Sequence, residues 1–152
     1  MDQLTQSYLS FRVGHEWYVV DVDDVIQVLH LVALTELPAS PPDVLGLVTV
    51  RGTVMPVIDL RRRFNQGSAE LRLDTPMIAV NTARCPVALV VDETEDIQQV
   101  GGDELIHYDG AESSYLKGVI RLRNRLLLLL DAAYLRGQIP QMGLEESTAA
   151  PA

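Results

Sequence analysis

The sequence predicts a mainly β chain folded as two small barrels packed on each other. Three observations carry this. Short apolar runs recur at close spacing, broken by turn residues, with little helical periodicity. One stretch, Gly46 to Leu60, reads as strand, tight turn, strand. That stretch returns, without a gap, 72 residues later, Gly118 standing where Gly46 stood. A lone sheet of four or five strands would leave one apolar face in water, so the two halves must cover each other.

The central hairpin is the clearest element. Leu47 to Val50 is rich in β-branched residues, which suit a pleated, buried surface. Arg51-Gly52-Thr53 is the turn, with Gly52 supplying the positive φ of a tight hairpin. Val54 to Ile58 returns, and Pro56, which lacks an N–H, implies a bulge or a sheet edge there. In the second copy Arg123 matches Arg51, Asn124 matches Gly52 and Asp131 matches Asp59. Asn is the commonest replacement for Gly at a left-handed position.

The other elements follow in order. Residues 1–7 are polar and read as a flexible N-terminus. Tyr8 to Val13 alternates as a half-buried strand, Gly14-His15-Glu16 turns, and Trp17 to Val22 returns. Asp23 to Leu34 reads as one helical turn followed by a strand through Val25 to Leu29, and Pro38, Pro41 and Pro42 break what comes next. Arg61-Arg62-Arg63-Phe64-Asn65 is a short helix, and residues 67–75 join the halves. Met77 to Asn81 and Val87 to Val91 form a third hairpin that repeats the first. Residues 101–117 read as a surface loop, 132–136 as a closing helical turn, and 137–152 as a disordered tail.

Composition narrows the partners. The 152-residue chain carries a formal charge of −9, which argues against nucleic acid or an anionic membrane surface. The apolar runs are too short for a membrane span, and the first residues lack the basic-then-apolar order of a signal peptide. With the single Cys85, these features favour the cytoplasm.

The chemical constellations are thin. Asp21, Asp59, Asp92 and Asp131 each follow an apolar run, but none is followed by the Gly-containing turn of an aspartic protease, so they read as caps at strand ends. His15, His30 and His107 have no metal-ligand spacing, and one Cys does not make a zinc site. Cys85, in a turn before Pro86, reads as incidental. The triple arginine is the one basic cluster, read as a solvated helix face or, with Arg51, as a contact for an acidic surface. The eight aromatics are scattered rather than interleaved with basic residues, unlike a single-strand nucleic-acid platform. The chain therefore reads as a non-enzymatic scaffold without metal or cofactor.

The stretch from Leu45 through Leu47-Val48-Thr49-Val50-Arg51-Gly52-Thr53-Val54-Met55-Pro56-Val57-Ile58-Asp59-Leu60-Arg61 closely resembles the signature of the CheW-like chemotaxis coupling proteins. Gly14 to Tyr18 with Val20-Asp21, Leu89 to Asp92, and Leu116 to Val119 leading to Arg125-Leu126 and Asp131 match in order and spacing. The resemblance spans residues 8–136. It implies two intertwined five-stranded barrels with no active site, monomeric alone and assembled in membrane-associated receptor arrays. It implies two partners: the regulatory CheW-like domain of the histidine kinase CheA, and the chemoreceptor cytoplasmic tip, lying in the groove between the lobes. Onto that groove it maps Val25, Arg51 and Gly46; kinase-contact residues are not identified.

Three departures fall near the groove: Thr49-Val50 where the family has Asn-Leu before Arg-Gly, Gln27 where a Glu is common, and Met77 where a Val is common. They bear on receptor class rather than fold, so an adaptor of a twitching, gliding or other chemosensory-like pathway is an alternative. A small-molecule-binding barrel is another, and would require a lined internal cavity.

Overall fold

Short apolar runs broken by turn residues give a backbone that runs as a succession of hairpins. A computed structural model describes residues 5–82, 85–107 and 115–132. In order, the elements are β1 (Thr5–Val13), β2 (Glu16–Asp21), a 3-10 turn (Val22–Asp24), β3 (Val25–His30), β4 (Val44–Val50), β5 (Thr53–Asp59) and the one-turn helix α1 (Leu60–Arg63). Then come β6 (Pro76–Val80), β7 (Val87–Val90), β8 (Glu93–Gly101), a second 3-10 turn (Gly102–Glu104), β9 (Leu105–His107), β10 (Leu116–Leu122) and β11 (Arg125–Leu130).

The two halves exchange hairpins. β1–β2, from the first half, sits inside the sheet β8-β1-β2-β11-β10-β9. Reciprocally, β6–β7 from the second half sits inside the sheet β3-β6-β7-β5-β4. The halves meet along four seams, two parallel, β2 with β11 and β5 with β7, and two antiparallel, β1 with β8 and β3 with β6. The lobes are therefore intertwined, as the resemblance implied, with six strands in one sheet and five in the other.

Strand alternation sorts the core into three layers. Val57, Met77, Ala79, Ala88 and Val90 fill the five-stranded lobe. Tyr8, Val19, Ile120, Leu127 and Leu129 fill the six-stranded one. The intervening residues of the same strands, including Leu9, Phe11, Val20, Ile58, Ile78 and Leu89, make the largest cluster, between the lobes. Both faces of the central strands are thus buried, so their sequences read as continuous apolar runs.

The repeated hairpin keeps its irregularities. In β4 the register shifts between Val44 and Gly46, and in β10 between Leu116 and Gly118, at matching positions of the repeat. A Cβ on Gly46 (φ +152) would lie 2.5 Å from the Thr35 carbonyl oxygen, and one on Gly118 would lie 3.0 Å from that of Ile106. Each glycine lets a neighbouring backbone approach its bulge.

Several sequence expectations are adjusted. Residues 101–117 are not one loop: they contain the second 3-10 turn and β9, which pairs with β10. β1 begins at Thr5 because Thr5, Gln6 and Ser7 pair with Gly101, Val100 and Gln99. Pro56 lies in an interior strand and not at an edge, and its place in the pairing explains the tolerance. The β5–β7 seam starts at Val57, and the bulge is across the hairpin in β4. In the central turn Arg51 (φ +52) shares the left-handed region with Gly52 (φ +81), the pattern of a type I′ turn. Arg123 (φ +58) stands at the matching place in the second half. Residues 133–136 of the expected closing turn and the whole tail lie outside the described residues.

Candidate functional site

Three of the aspartates that follow apolar runs act at strand ends, two of them as caps. Asp21 accepts from the Asp23 N–H at 2.9 Å and opens the first 3-10 turn. Asp59, buried, accepts from the N–H groups of Arg61 (3.0 Å) and Ala69 (2.9 Å), capping α1 and tying down the connection between the halves. Asp92 accepts from the Gly14 N–H at 2.7 Å and from Arg61 Nε at 2.9 Å. Burial pushes the Asp92 carboxyl up, but the hydrogen bonds from Arg61 and Gly14 and the charges of Arg61 and Arg12 outweigh it, leaving it below the usual carboxylate range. The same contact raises the pKa of Arg61.

The three arginines of the cluster are each engaged by a carboxylate of the chain. Arg61 holds Asp92, Arg62 donates to the Pro42 carbonyl at 3.0 Å and faces Asp59 at 3.6 Å, and Arg63 is buried against Asp43. One-turn helix geometry fans the three side chains toward three different carboxylates. The cluster staples α1 to its surroundings: Asp92 and Asp43 lie 31 and 20 positions from their arginines, and Asp59 lies one helical turn from Arg62.

Arg51 stands apart. It is exposed on the β4–β5 turn, and its Nε donates to Gln27 Oε1 on β3 at 2.9 Å. β3 and β4 are opposite edges of the five-stranded sheet, so this contact bridges the two edges of the lobe. Val25, two residues before Gln27, is half-buried against the core between the lobes and pairs with Val80. Three residues further along β3, Val28 pairs with Ile78, an interlobe core residue, yet is 44% exposed. The face that packs between the lobes therefore reaches the surface along β3. Gly46 is not brought to that surface. It is buried, five residues from Arg51 and on the order of 16 Å away at the usual strand rise, and it serves the backbone fit described above.

Arg51 and Gln27 are brought together across the two edges of the five-stranded lobe, whereas Val25 and Val28 lie on the other face of β3, toward the interlobe layer; the sequence supplied Val25 and Arg51 and flagged Gln27 only as a departure. Val28 gave no separate signal, because an apolar residue in an apolar strand reads as core. The barrel interiors are filled by the side chains named above. Among the described residues no three His, Cys, Asp or Glu side chains gather to hold a metal ion, and no helix is long and apolar enough to cross a membrane.

The fold defines the class: a strand-exchanged double β-barrel module. The chain belongs to the CheW-like domain family, which matches residues 7–138. It is similar to the probable chemotaxis protein CheW of Rhizobium etli, 27% identical over 136 residues that cover 86% of this chain and 87% of that protein. It is also similar to the chemotaxis protein CheW of Bacillus subtilis, 28% identical with 84% of each chain covered, and to the protein FrzA of Myxococcus xanthus, 29% identical over 76% of this chain and 74% of that one. The crystal structure of the scaffolding protein TtCheW from Thermoanaerobacter tengcongensis shares the fold, with a TM-score of 0.77 at 22% identity, covering 93% of this chain and 92% of that one.

Proposed function

We propose that this chain is a non-enzymatic chemotaxis adaptor that couples the cytoplasmic tip of chemoreceptors to the regulatory domain of the histidine kinase CheA. The observation that carries the reading is the match to CheW-like domains over residues 7–138, nearly the whole chain. Two structural features support it. Asp59 and Asp92 are spent on caps and ion pairs within the chain, and the five-stranded lobe exposes Val28 on β3 and Arg51 on the β4–β5 turn, groups suited to protein contacts. Such an adaptor works beside the membrane, in the cytoplasm.

The test is a titration of a receptor-tip fragment, with Arg51→Glu and Arg123→Glu as the variants. Arg51→Glu is expected to weaken binding by roughly 5- to 150-fold, since reversal turns attraction into repulsion. Arg123 occupies the matching turn in the other lobe and is the internal control. Circular dichroism should show both variants folded, because each side chain is exposed on a turn. Equal loss in both variants would reject Arg51 as a specific contact. A parallel pull-down with the kinase regulatory domain should retain the wild-type chain.

A further inference from the structure

Each of the four seams joins a strand of the first half to a strand of the second: β1 with β8, β2 with β11, β3 with β6 and β5 with β7. Flanking backbone contacts follow the same rule. The Leu31 N–H donates to the Thr75 carbonyl at 2.7 Å, and the Asp92 N–H donates to the Arg12 carbonyl at 2.9 Å. None of these pairings requires that the two halves belong to one molecule. The first half of one copy and the second half of another present the same strands, the same registers and the same buried face.

Residues 60–75 tie each half to its own chain. Leu60 and Phe64 are buried in the interlobe core, so α1 stays with the first half. Thr75 continues the β3–β6 seam and belongs to the second half. The hinge lies between them. It turns back on itself through Asn65 (φ +60) and Gly67 (φ +90), both in the left-handed region. The Arg62 guanidinium donates to Ser68 Oγ at 3.1 Å, and the Ala69 N–H donates to Asp59 at 2.9 Å, which holds the turn closed. These contacts, and no seam, distinguish the closed monomer from an exchanged pair. Stretched out, residues 65–74 reach roughly 30 Å, comparable with the diameter of a small domain.

We infer that two copies of this chain exchange halves to form a dimer in which every seam of the monomer is rebuilt between molecules, with the reversal at Asn65 and Gly67 setting how often they do so. Exchange costs no seam contact. It costs the hinge contacts and the covalent attachment, which holds one half near the other at an effective concentration on the order of 1 mM. Crowded copies therefore exchange more readily. Strain that the closed turn carries and an open hinge does not shifts the balance further. Gly67 is the sensitive point. Glycine enters the left-handed region freely, whereas a β-branched residue is strained there. Nothing lies within 4 Å of the place its Cβ would occupy, so a side chain at Gly67 adds backbone strain without a clash. For the adaptor proposed above, the exchanged dimer doubles the binding surface and makes it bivalent; only this consequence rests on that reading.

The experiment uses the full chain with its single native cysteine replaced, Cys85→Ser, in two versions, Ser7→Cys and Gln99→Cys. Ser7 and Gln99 are opposite each other across the β1–β8 seam, with Gln99 Nε2 donating to Ser7 Oγ at 2.9 Å, and directly opposed residues lie within disulfide reach. Each version carries one thiol, so a disulfide at this seam joins two copies only when the first half of one lies on the second half of the other. The two versions are mixed, unfolded in urea, refolded together at micromolar and at millimolar concentration, and oxidised. Size-exclusion chromatography is expected to show a species of twice the chain's mass that grows with concentration, in which the mixed disulfide exceeds either homodimeric one. Gly67→Val is expected to lower the concentration of half-dimerisation by roughly 10-fold or more, since each dimer relieves two strained turns, and Gly67→Asn to return it toward that of the parent. Chains that refold to a β-rich, cooperatively melting monomer at millimolar concentration with Gly67 intact, and show no dimer, overturn the inference. So does a dimer whose mixed disulfide is no more abundant than the homodimeric ones, because that dimer joins closed copies at another face. No receptor fragment enters the measurement, so the adaptor reading stands or falls separately.

Discussion

Asp92 sits where three segments meet: the β1–β2 turn through Gly14, the end of β7, and α1 through Arg61. Its carboxylate joins parts of both lobes, and the geometry is good, with Arg61 Nε within 3.0 Å of both oxygens. Because Arg61 is partly exposed, Asp92→Asn is expected to cost about 1–3 kcal/mol rather than the larger loss of a fully buried pair. The effect is pH-dependent. A carboxyl held below its ordinary 3.8 stabilises fully above that value and loses its contribution as pH falls through the lower, folded value. The gap between wild type and Asp92→Asn in urea melts should therefore close below about pH 4. Asp24 runs the other way: burial and the charge of Asp21 raise its carboxyl despite Lys117, so its destabilising effect is relieved as pH falls toward that raised value. In sequence, the repeated Asp at strand ends was legible as a cap. Its partner was not, since Arg61 and Gly14 lie on separate elements and become neighbours only when the lobes close. The same blindness made the triple arginine look free.

At the scale of the element, the two bulged glycines are the most exacting positions. Gly46 combines a φ of +152 with an approach of 2.5 Å to the Thr35 carbonyl, where Thr35 forms a bridge to Leu47. Gly118 has the looser 3.0 Å approach to Ile106, in the short strand β9. Gly46→Ala is expected to destabilise by about 2–4 kcal/mol, through strain at a conformation L residues avoid and a clash with backbone that cannot swing away. Gly118→Ala should cost less, about 1–2 kcal/mol, since its neighbour need give only a few tenths of an ångström. Thermal melts of the two variants check the order, and equal losses would sink the explanation. The repeat made these positions visible in the sequence, because Gly recurs at the same place in both hairpins. It also held a signal for β9: Thr35 and His107 stand at matching positions, each beside its bulged glycine strand. Polar composition at 101–117 hid that strand, since an edge strand of three residues needs few apolar side chains.

At the scale of the molecule, the exchange of hairpins means that neither half owns a complete barrel. The first half supplies β1 and β2 to one sheet and β3, β4 and β5 to the other, and the second half supplies the rest. The sequence showed two equivalent units but not which strands pair across them, because every unit offers the same apolar faces and the seams are long-range. A consequence can be measured. Gly67 lies in the exposed connection between the halves, at φ +90, with nothing near the place a side chain would occupy. Cutting the chain there leaves two fragments that each expose the face now buried between Leu9, Phe11, Ile58, Ile78 and Leu89. Neither fragment can complete a sheet from its own strands, so each alone is expected to lack a cooperative melt and to aggregate through its open edges. Mixed in equal amounts, they should recover a β-rich circular dichroism spectrum and a cooperative, concentration-dependent transition, since association replaces the lost connection by mass action. Size-exclusion chromatography should show a species of the intact chain's size. A fragment that melts cooperatively by itself, as a small barrel, would show that the lobes are separable and that the exchanged hairpins are not what holds the molecule together.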